Sequence, residues 1–171
     1  PKILLSQFIQ RHDEEKMAII IMEMVGKKHG NLFYPTFSGV TQSYNYYPVS
    51  HMERNEGVSF LALGLGRTIA DGEKSLRFSP YYPEILSQYY STDKMIENSQ
   101  NIFYALELNE GKNPINKGES NNLSSFDLEQ AENDGELKYI ASVLDSNDNV
   151  LRDSLNYNGT RVITFSGILK H

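Results

Sequence analysis

A short apolar run that ends in a glycine-containing loop is the feature that most constrains the fold of this chain. The run covers residues 58–63 and is followed by Gly64, Leu65 and Gly66. An apolar run of this length, bounded by glycine, is typical of a buried β-strand. We therefore predict a strand here, followed by a loop whose glycines let the backbone come close to a bound group.

Three cationic side chains follow the loop, namely Arg67, Lys74 and Arg77. Arginine makes bidentate contacts with phosphate oxygens, and glycine lets the backbone approach an anion closely. The pattern therefore predicts a site for a bound polyphosphate. The alternative is a tight turn with a solvated basic rim, in which the arginines form surface ion pairs with Asp71 or Glu73.

The rest of the chain consists of short apolar segments separated by turn-forming residues. Strands are predicted at residues 17–25, 32–46 (interrupted at Pro35 and at Ser38-Gly39), 58–63, 75–78, 102–108, 137–144, 150–155 and 161–165. Helical segments are predicted at residues 3–10, 84–90 and 93–98, residues 126–134 are extended or a short helix, and turns are predicted at residues 26–30 and 145–149. This mixture predicts an α+β domain with a mainly antiparallel sheet and few helices.

Composition narrows the classes of protein that fit. The chain has 171 residues, a net charge of −6, a pI of about 5.2 and no cysteine. An acidic chain is a poor general ligand for nucleic acid, and no apolar run approaches the ~20 residues of a membrane span. Without cysteine there are neither disulfides nor thiolate metal sites. We expect a cytoplasmic protein with no nucleic-acid or membrane partner, cut from a larger chain; the alternative is a processed small protein.

Three segments in the first half of the chain resemble the nucleotide-binding domain of phosphoenolpyruvate synthase and pyruvate phosphate dikinase. They are, in the order that the family has, AIIIMEMV (residues 18–25), FYPTFSGVTQSYNYYP (residues 33–48) and ALGLGRTIADGEKSLRFSP (residues 62–80). Later segments, FYALEL, ELKYIAS and RVITFSGILK, also look like the long synthase-like members of this family. No chemistry is attached to these later segments.

The resemblance implies an architecture and a reaction. Residues 1–100 would be a partial ATP-grasp-like lobe, and residues 101–171 an accessory α+β segment with a flexible loop near residues 109–124. ATP, with Mg²⁺, would phosphorylate a carrier histidine on another domain, which passes the phosphoryl group to pyruvate. The implied partners are the other domains of the parent chain: the first ATP-grasp lobe, the phosphohistidine domain and the pyruvate-binding barrel. The isolated fragment is expected to be inactive.

The resemblance also transfers one residue role. Arg77 precedes Phe78-Ser79-Pro80, and in the dikinases an arginine before a Thr-Pro pair contacts nucleotide phosphates. At the position of Arg67 the family commonly has Glu, so Arg67 inherits no role. The candidate nucleotide-binding residues are Arg77, Arg67, Gly64, Gly66, Lys74 and Glu23, of which Glu23 is either a contact at the domain hinge or a solvated strand end.

Two departures from the family pattern concern the magnesium ligands. Ser59 stands at the family's acidic position, and Leu65 stands where the family has the Gln that helps to hold magnesium. In a third departure, Met22 stands where the family usually has Gln. A lone Ser or a Leu cannot replace a carboxylate as a ligand for a hard cation. The alternative function is therefore a non-catalytic docking or regulatory module that keeps the fold. The abundant tyrosines are interpreted as packing at a lobe interface or, alternatively, as a platform on which the bases of single-stranded nucleic acid stack.

Overall fold

The computed structural model describes residues 16–108 and 122–170. The helix predicted at residues 3–10 and most of the loop predicted at residues 109–124 lie outside these ranges. Within them, all pairings between strands are antiparallel and the helices are short. The prediction of an α+β fold with a mainly antiparallel sheet and few helices is confirmed.

The described residues contain ten strands in three sheets. In chain order the strands are β1 (Lys27–His29), β2 (Leu32–Tyr34), β3 (Ser38–Gln42), β4 (Val58–Ala62), β5 (Leu76–Phe78), β6 (Ile102–Glu107), β7 (Leu123–Asp127), β8 (Ala141–Asp145), β9 (Leu151–Arg152) and β10 (Gly159–Ile163). The sheets have the orders β1-β2-β6-β7, β3-β4-β5 and β10-β8-β9. The strands predicted at residues 58–63, 75–78 and 102–108 are therefore present, each shorter by one residue.

The described residues also contain four short α-helices. They are α1 (Arg67–Ala70), α2 (Thr92–Asn98), α3 (Leu128–Asn133) and α4 (Ser166–Leu169). Side chains cap two of them: Ser91 accepts a hydrogen bond from the Lys94 amide, and Asp127 accepts one from the Gln130 amide. Helix α3 ends before Gly135, whose φ of +80° suits glycine. In the described parts of the chain, no helix has the length and apolarity to cross a membrane.

Several predicted elements are wrong, and the largest error is the buried strand predicted at residues 17–25. These residues form no strand and are exposed. Residues 27–29 of the predicted basic turn form β1, and residues 84–90 form only a 3-10 turn (Ser87–Tyr89) instead of a helix. Ser38 and Gly39 begin β3 and do not interrupt a strand, whereas Pro35 does separate β2 from β3. Residues 137–139 of the strand predicted at 137–144 belong instead to a 3-10 turn (Glu136–Tyr139) that precedes β8.

One buried cluster joins the sheets. Its fully buried members come from both halves of the chain: Tyr34, Leu63, Leu76, Phe103, Ala105, Ala131, Leu137, Ile140, Val162, Ile163 and Phe165. The ring centroids of Tyr34 and Phe103 are 4.7 Å apart, so β2 and β6 meet through aromatic contact as well as backbone pairing. The division at residue 100 stays a prediction, and the first sheet contains strands from both sides of it.

Candidate functional site

The β3-β4-β5 sheet has two unlike faces, and the difference places Arg77. In the register of this sheet Leu61 lies opposite Leu76, and Phe60 lies opposite Arg77. Leu76 is 2% exposed and belongs to the core, so the face of Leu61 and Leu76 is the inner one. Because successive side chains of a strand point to opposite faces, Phe60 and Arg77 lie on the outer face. Val40, opposite Phe60, shares this face and is exposed.

A tyrosine-rich segment that follows β3 forms a wall beside this outer face. Tyr44, Tyr46 and Tyr47 are 40%, 68% and 82% exposed, whereas Asn45 between them is 1% exposed. The backbone N–H of Asn45 donates to the Arg54 carbonyl at 2.7 Å, and the side-chain oxygen of Asn45 accepts from the backbone N–H of Tyr47 at 3.2 Å. The buried asparagine thus fixes the backbone of the segment and leaves the three rings at the surface.

Arg77 connects the sheet to this tyrosine segment. Its Nη2 donates to the Asn45 side-chain oxygen at 3.0 Å and to the Tyr47 carbonyl, and its guanidinium carbon lies 5.9 Å from the centre of the Phe60 ring. Its buried Nε has no hydrogen-bond partner among the described residues. Burial lowers the pKa of the guanidinium, which still leaves it charged at neutral pH. Within residues 16–108 and 122–170 no carboxylate forms an ion pair with it.

The sheet face and the tyrosine segment enclose a groove with a volume of about 600 Å³. Its lining is Gln42, Ser43, Tyr44, Asn45, Tyr46, Tyr47, Val58, Phe60 and Arg77. The lining combines one cation that lacks an acidic partner with four aromatic rings. A ligand that carries both an aromatic ring and an anionic group matches this combination, because rings stack on tyrosine and anions pair with arginine.

Arg67 lies elsewhere and has an acidic partner. It opens helix α1, and its Nε donates to Asp71 Oδ2 at 2.8 Å across one turn of the helix. The hydrogen bond to Asp71 raises the pKa of Arg67. The guanidinium also lies 5.1 Å from the centre of the Tyr104 ring in β6. The pair of Arg67 and Asp71 is the surface ion pair that the sequence predicted as the alternative to phosphate binding.

The two glycines of the loop differ in what their positions require. Gly64 has φ of +80°, and a Cβ there would lie 2.8 Å from the Tyr104 carbonyl oxygen and 2.9 Å from the Phe103 ring. The next amide, that of Leu65, donates to the same carbonyl at 3.0 Å. Gly66 has φ of −63°, and its nearest neighbour would be Ser38 at 3.8 Å. Gly64 therefore serves close packing against β6, whereas the position of Gly66 accepts a side chain.

The remaining candidates also lie apart from the groove. Lys74 is exposed beside a cavity of about 240 Å³ that Glu73, Gln100 and Ile102 help to line. Glu23 is exposed in the irregular segment before β1. Of the six residues predicted from the sequence, Arg77 alone lines the groove.

The residues at the family's metal-ligand positions do not fit a magnesium ion. Ser59 is 6% exposed on the inner face, and its hydroxyl lies 3.0 Å from that of Thr41. Leu65 packs against the core. In the described ranges, no three carboxylate or imidazole side chains cluster in a way that suits a metal ion. No step is therefore assigned to a metal held by these residues.

The sequence analysis missed two buried side-chain amides, those of Asn45 and Gln100, which hold neighbouring groups in place through hydrogen bonds. Asn45 was included only in a tyrosine-rich stretch, and its burial depends on a contact with Arg77, 32 positions away. Gln100 is 3% exposed; its side chain accepts from the Leu63 amide at 2.8 Å and donates to the Leu63 carbonyl at 3.0 Å. For Asn45, the one local signal of burial in the sequence is its position as a polar residue within a tyrosine cluster. For Gln100, the sequence carries no local signal of burial.

A second polar cluster lies beside the β10-β8-β9 sheet. Ser142 Oγ donates to Asp153 at 2.7 Å and lies 2.6 Å from Thr164 Oγ1, and Lys170 Nζ pairs with Asp153 at 2.6 Å. Hydrogen bonds from Lys170, Ser142 and Ser166 hold the pKa of Asp153 below its usual value, although burial opposes this shift. These groups satisfy one another, so the cluster is a structural network.

Known proteins offer no further guide to this site. Comparison of the chain with protein-family models, with curated proteins and with solved structures found no match.

Proposed function

We propose that the groove binds a phosphate of ATP through Arg77 and that the chain contributes nucleotide binding to a dikinase of the phosphoenolpyruvate synthase and pyruvate phosphate dikinase type. The observation that carries the proposal is the position of Arg77. It is a partly buried cation, without an acidic partner among the described residues, beside a wall of tyrosines. It is also the one candidate to which the family resemblance transfers a phosphate contact.

The electrostatics of the groove favour an anion. Partial burial removes part of the hydration of the Arg77 guanidinium, and the oxygens of Asn45 and Tyr47 that it contacts are neutral. A phosphate in the groove would supply the missing negative charge, and a charge-assisted hydrogen bond to the guanidinium is stronger than a neutral one. The exposed tyrosine rings give the base a surface on which to stack.

The proposed role stops at binding. The resemblance places the carrier histidine, the first ATP-grasp lobe and the pyruvate-binding barrel in other domains of a cytoplasmic parent protein. Phosphoryl transfer depends on positioning and charge neutralisation, and one arginine and an aromatic wall supply part of the positioning. Magnesium would have to be held by ligands other than Ser59 and Leu65.

A second candidate function is a docking module without catalysis. The observation that favours it is the pairing of Arg67 with Asp71, together with the lack of carboxylate ligands at the family's metal positions. In this case Arg77 would serve only to hold the tyrosine segment against the sheet through Asn45 and Tyr47.

Calorimetric titration with ATP separates the two functions. Replacing Arg77 with Ala should weaken ATP binding by about 1.5–3 kcal/mol, which is roughly tenfold or more in Kd, because a charge-assisted contact is lost. Arg77→Lys should not restore full affinity, since an ammonium group lacks the planar fork. Inorganic triphosphate should bind more weakly than ATP, because it has no base to stack on the tyrosines, and its affinity should also fall in Arg77→Ala.

The matched control is Arg67→Ala, which removes an arginine that already has an acidic partner. Its affinity for ATP should equal that of the wild type. Circular dichroism should show that the Arg77 variants are folded, since Arg77 also contacts the tyrosine segment. Equal affinities for all variants in folded proteins would reject the phosphate contact and leave the docking module as the better account.

A further inference from the structure

A cavity lies beside the polar cluster of Ser142 and Asp153, apart from the groove of Arg77. Its volume is about 230 Å³, and it shares no lining residue with the groove. An apolar cavity of about 150 Å³ holds benzene, so this one has room for a somewhat larger small molecule. Its lining comes from residues 83–89, from helix α2, from β9 with the residues after it, and from residues 164–170.

The apolar part of the lining is held in place by the core. Its members are Pro83, Leu86, Tyr89, Met95, Leu151 and Leu169. All of them except the proline belong to the buried cluster or pack against it. The Tyr89 hydroxyl donates to the Ile163 carbonyl at 2.7 Å, so the polar atom of Tyr89 is already paired. This side of the cavity is therefore a preformed surface for an aliphatic or aromatic side chain.

The polar part of the lining carries both signs of charge. Lys170 Nζ pairs with Asp153 Oδ2 at 2.6 Å, and the two side chains are 50% and 44% exposed. Because the pKa of Asp153 is held below its usual value, its carboxylate is ionised at neutral pH. Glu84, which is exposed, adds a second carboxylate to the lining. The cavity therefore offers partners for an ammonium and for a carboxylate, and it favours the ammonium more strongly.

Neither Lys170 nor Asp153 has used all of its hydrogen-bonding capacity. An ammonium has three N–H donors, and a carboxylate accepts about four hydrogen bonds. Within residues 16–108 and 122–170, Asp153 is the one partner of the Lys170 ammonium. Asp153 accepts from Lys170, Ser142 and Ser166. Each group can therefore contact a ligand while the network around Ser142 stays in place.

The backbone beside the polar part is strained. Phe165 has φ of +53° although it is not glycine, and its side chain is fully buried. Its neighbours on both sides, Thr164 and Ser166, line the cavity. The N–H groups of Thr164 and Phe165 both donate to the Ile140 carbonyl, at 3.0 and 2.9 Å, and so hold this turn. Strained residues of this kind cluster at ligand-binding sites.

We propose that this cavity binds a small apolar α-amino acid, with its ammonium group on Asp153, its carboxylate on Lys170 and its side chain against Leu86 and Met95. In an α-amino acid one carbon carries both charged groups. Two protein charges in direct contact, such as Asp153 and Lys170, can therefore pair with both at once. The site is independent of the proposed nucleotide site, and failure of either proposal leaves the other standing.

A series of related ligands tests the recognition of both charges. In an NMR titration of the chain with L-leucine, the backbone amide signals of Thr164 and Ser166 should shift, and those of Tyr44 and Tyr47 should not. 3-Methylbutylamine, which lacks the carboxylate, should bind about tenfold more weakly, because a charge-assisted hydrogen bond is lost. 4-Methylpentanoate, which lacks the ammonium, should bind more weakly still, since the lining holds two carboxylates. Glycine, which lacks the side chain, should not bind detectably.

Variants of the lining test which residues hold the ligand. Lys170→Met should weaken L-leucine binding about tenfold and leave 3-methylbutylamine binding unchanged. Met95→Trp should block both ligands by filling the cavity, while the charged pair remains. Asp153→Asn should weaken both ligands, and circular dichroism should show that it is folded, because Asp153 also holds Ser142.

The matched controls are Asp71→Asn, which changes a carboxylate in an ion pair of similar exposure, and Lys138→Met, which removes an exposed lysine. Both should bind L-leucine as the wild type does. A wild-type chain that binds no L-leucine up to the solubility limit of the amino acid would overturn the proposal. So would equal affinities for L-leucine and 4-methylpentanoate, or L-leucine binding that is unchanged in folded Lys170→Met and Met95→Trp.

Discussion

Two apolar runs of this chain look alike in sequence and differ in structure. Residues 17–25 and residues 58–63 both predict buried strands. The second run forms β4 and has a partner on each side, β3 and β5. The first forms no strand and lies exposed. An apolar run therefore predicts a tendency to pair, and the rest of the chain decides whether a partner is present.

The hairpin that could have continued into the first run is interrupted by a proline. In the β1–β2 hairpin Lys27 lies opposite Tyr34, so its continuation would set Gly26 opposite Pro35 and Glu23 opposite Ser38. Proline has no N–H to donate to a strand ladder. The hairpin ends at Lys27, and residues 17–25 have no strand partner in the part of the chain that the structure describes.

The largest effect expected from this comparison is on stability. Leu63→Ala should lower the free energy of unfolding by about 3–5 kcal/mol, because Leu63 is 0% exposed and its removal leaves a cavity. Ile20→Ala, in the first run, should change it by less than about 0.5 kcal/mol in dilute protein, since Ile20 is 83% exposed. Denaturation by urea measures both. A loss at Ile20 as large as that at Leu63 would show that the first run is also buried.

The end of the second run gives the next largest effect. Gly64→Ala should cost about 2–4 kcal/mol, because alanine would be strained at φ of +80° and its Cβ would meet the Tyr104 carbonyl. Gly66→Ala should cost less than about 1 kcal/mol, since its backbone is helical and its surroundings are open. If the two variants were equally stable, the loop would not be packed against β6 as described.

The sequence predicted the parts of the fold that depend on neighbouring residues. β4, β5 and β6 are short apolar stretches between turn signals. Alternation along β5 is enough to set Arg77 on the face opposite Leu76. The pairing of Arg67 with Asp71 was open to prediction as well, because the two residues are one helical turn apart.

The parts that could not be predicted depend on contacts distant in sequence. Asn45 and Gln100 are polar residues of a kind that is mostly exposed, and each is buried by hydrogen bonds to groups more than 30 positions away. The exposure of residues 17–25 accompanies the end of the β1–β2 hairpin at Lys27, which lies opposite Tyr34 and next to the position of Pro35. Periodicity reports none of these long-range choices.

A smaller loss of stability is expected at alkaline pH, and it tests the burial of Tyr89 in the core. Burial raises the pKa of Tyr89 to about 12, and its hydroxyl donates to the Ile163 carbonyl at 2.7 Å. The neutral form is favoured in the fold, so this stability is complete below pH 10 and is lost as the pH rises from about 10 to about 12. At about 1.4 kcal/mol per pKa unit, the loss is about 2–3 kcal/mol.

Urea denaturation of the wild type and of Tyr89→Phe across this pH range measures that loss. The phenylalanine variant should be slightly less stable at neutral pH, because the hydrogen bond to Ile163 is missing, and its stability should fall less steeply above pH 10. Identical slopes for the two proteins would mean that the Tyr89 hydroxyl is not held in its neutral form.

Hydrogen exchange of backbone amides tests the central comparison most directly. In dilute, monomeric protein the amides of residues 18–25 should exchange at the rates of an unstructured peptide, because they have no strand partner. The amides of residues 59–62, within β4, should exchange only with global unfolding. Protection of residues 18–25 in the monomer equal to that of β4 would contradict the account, since the first run would then be a core strand of the single chain.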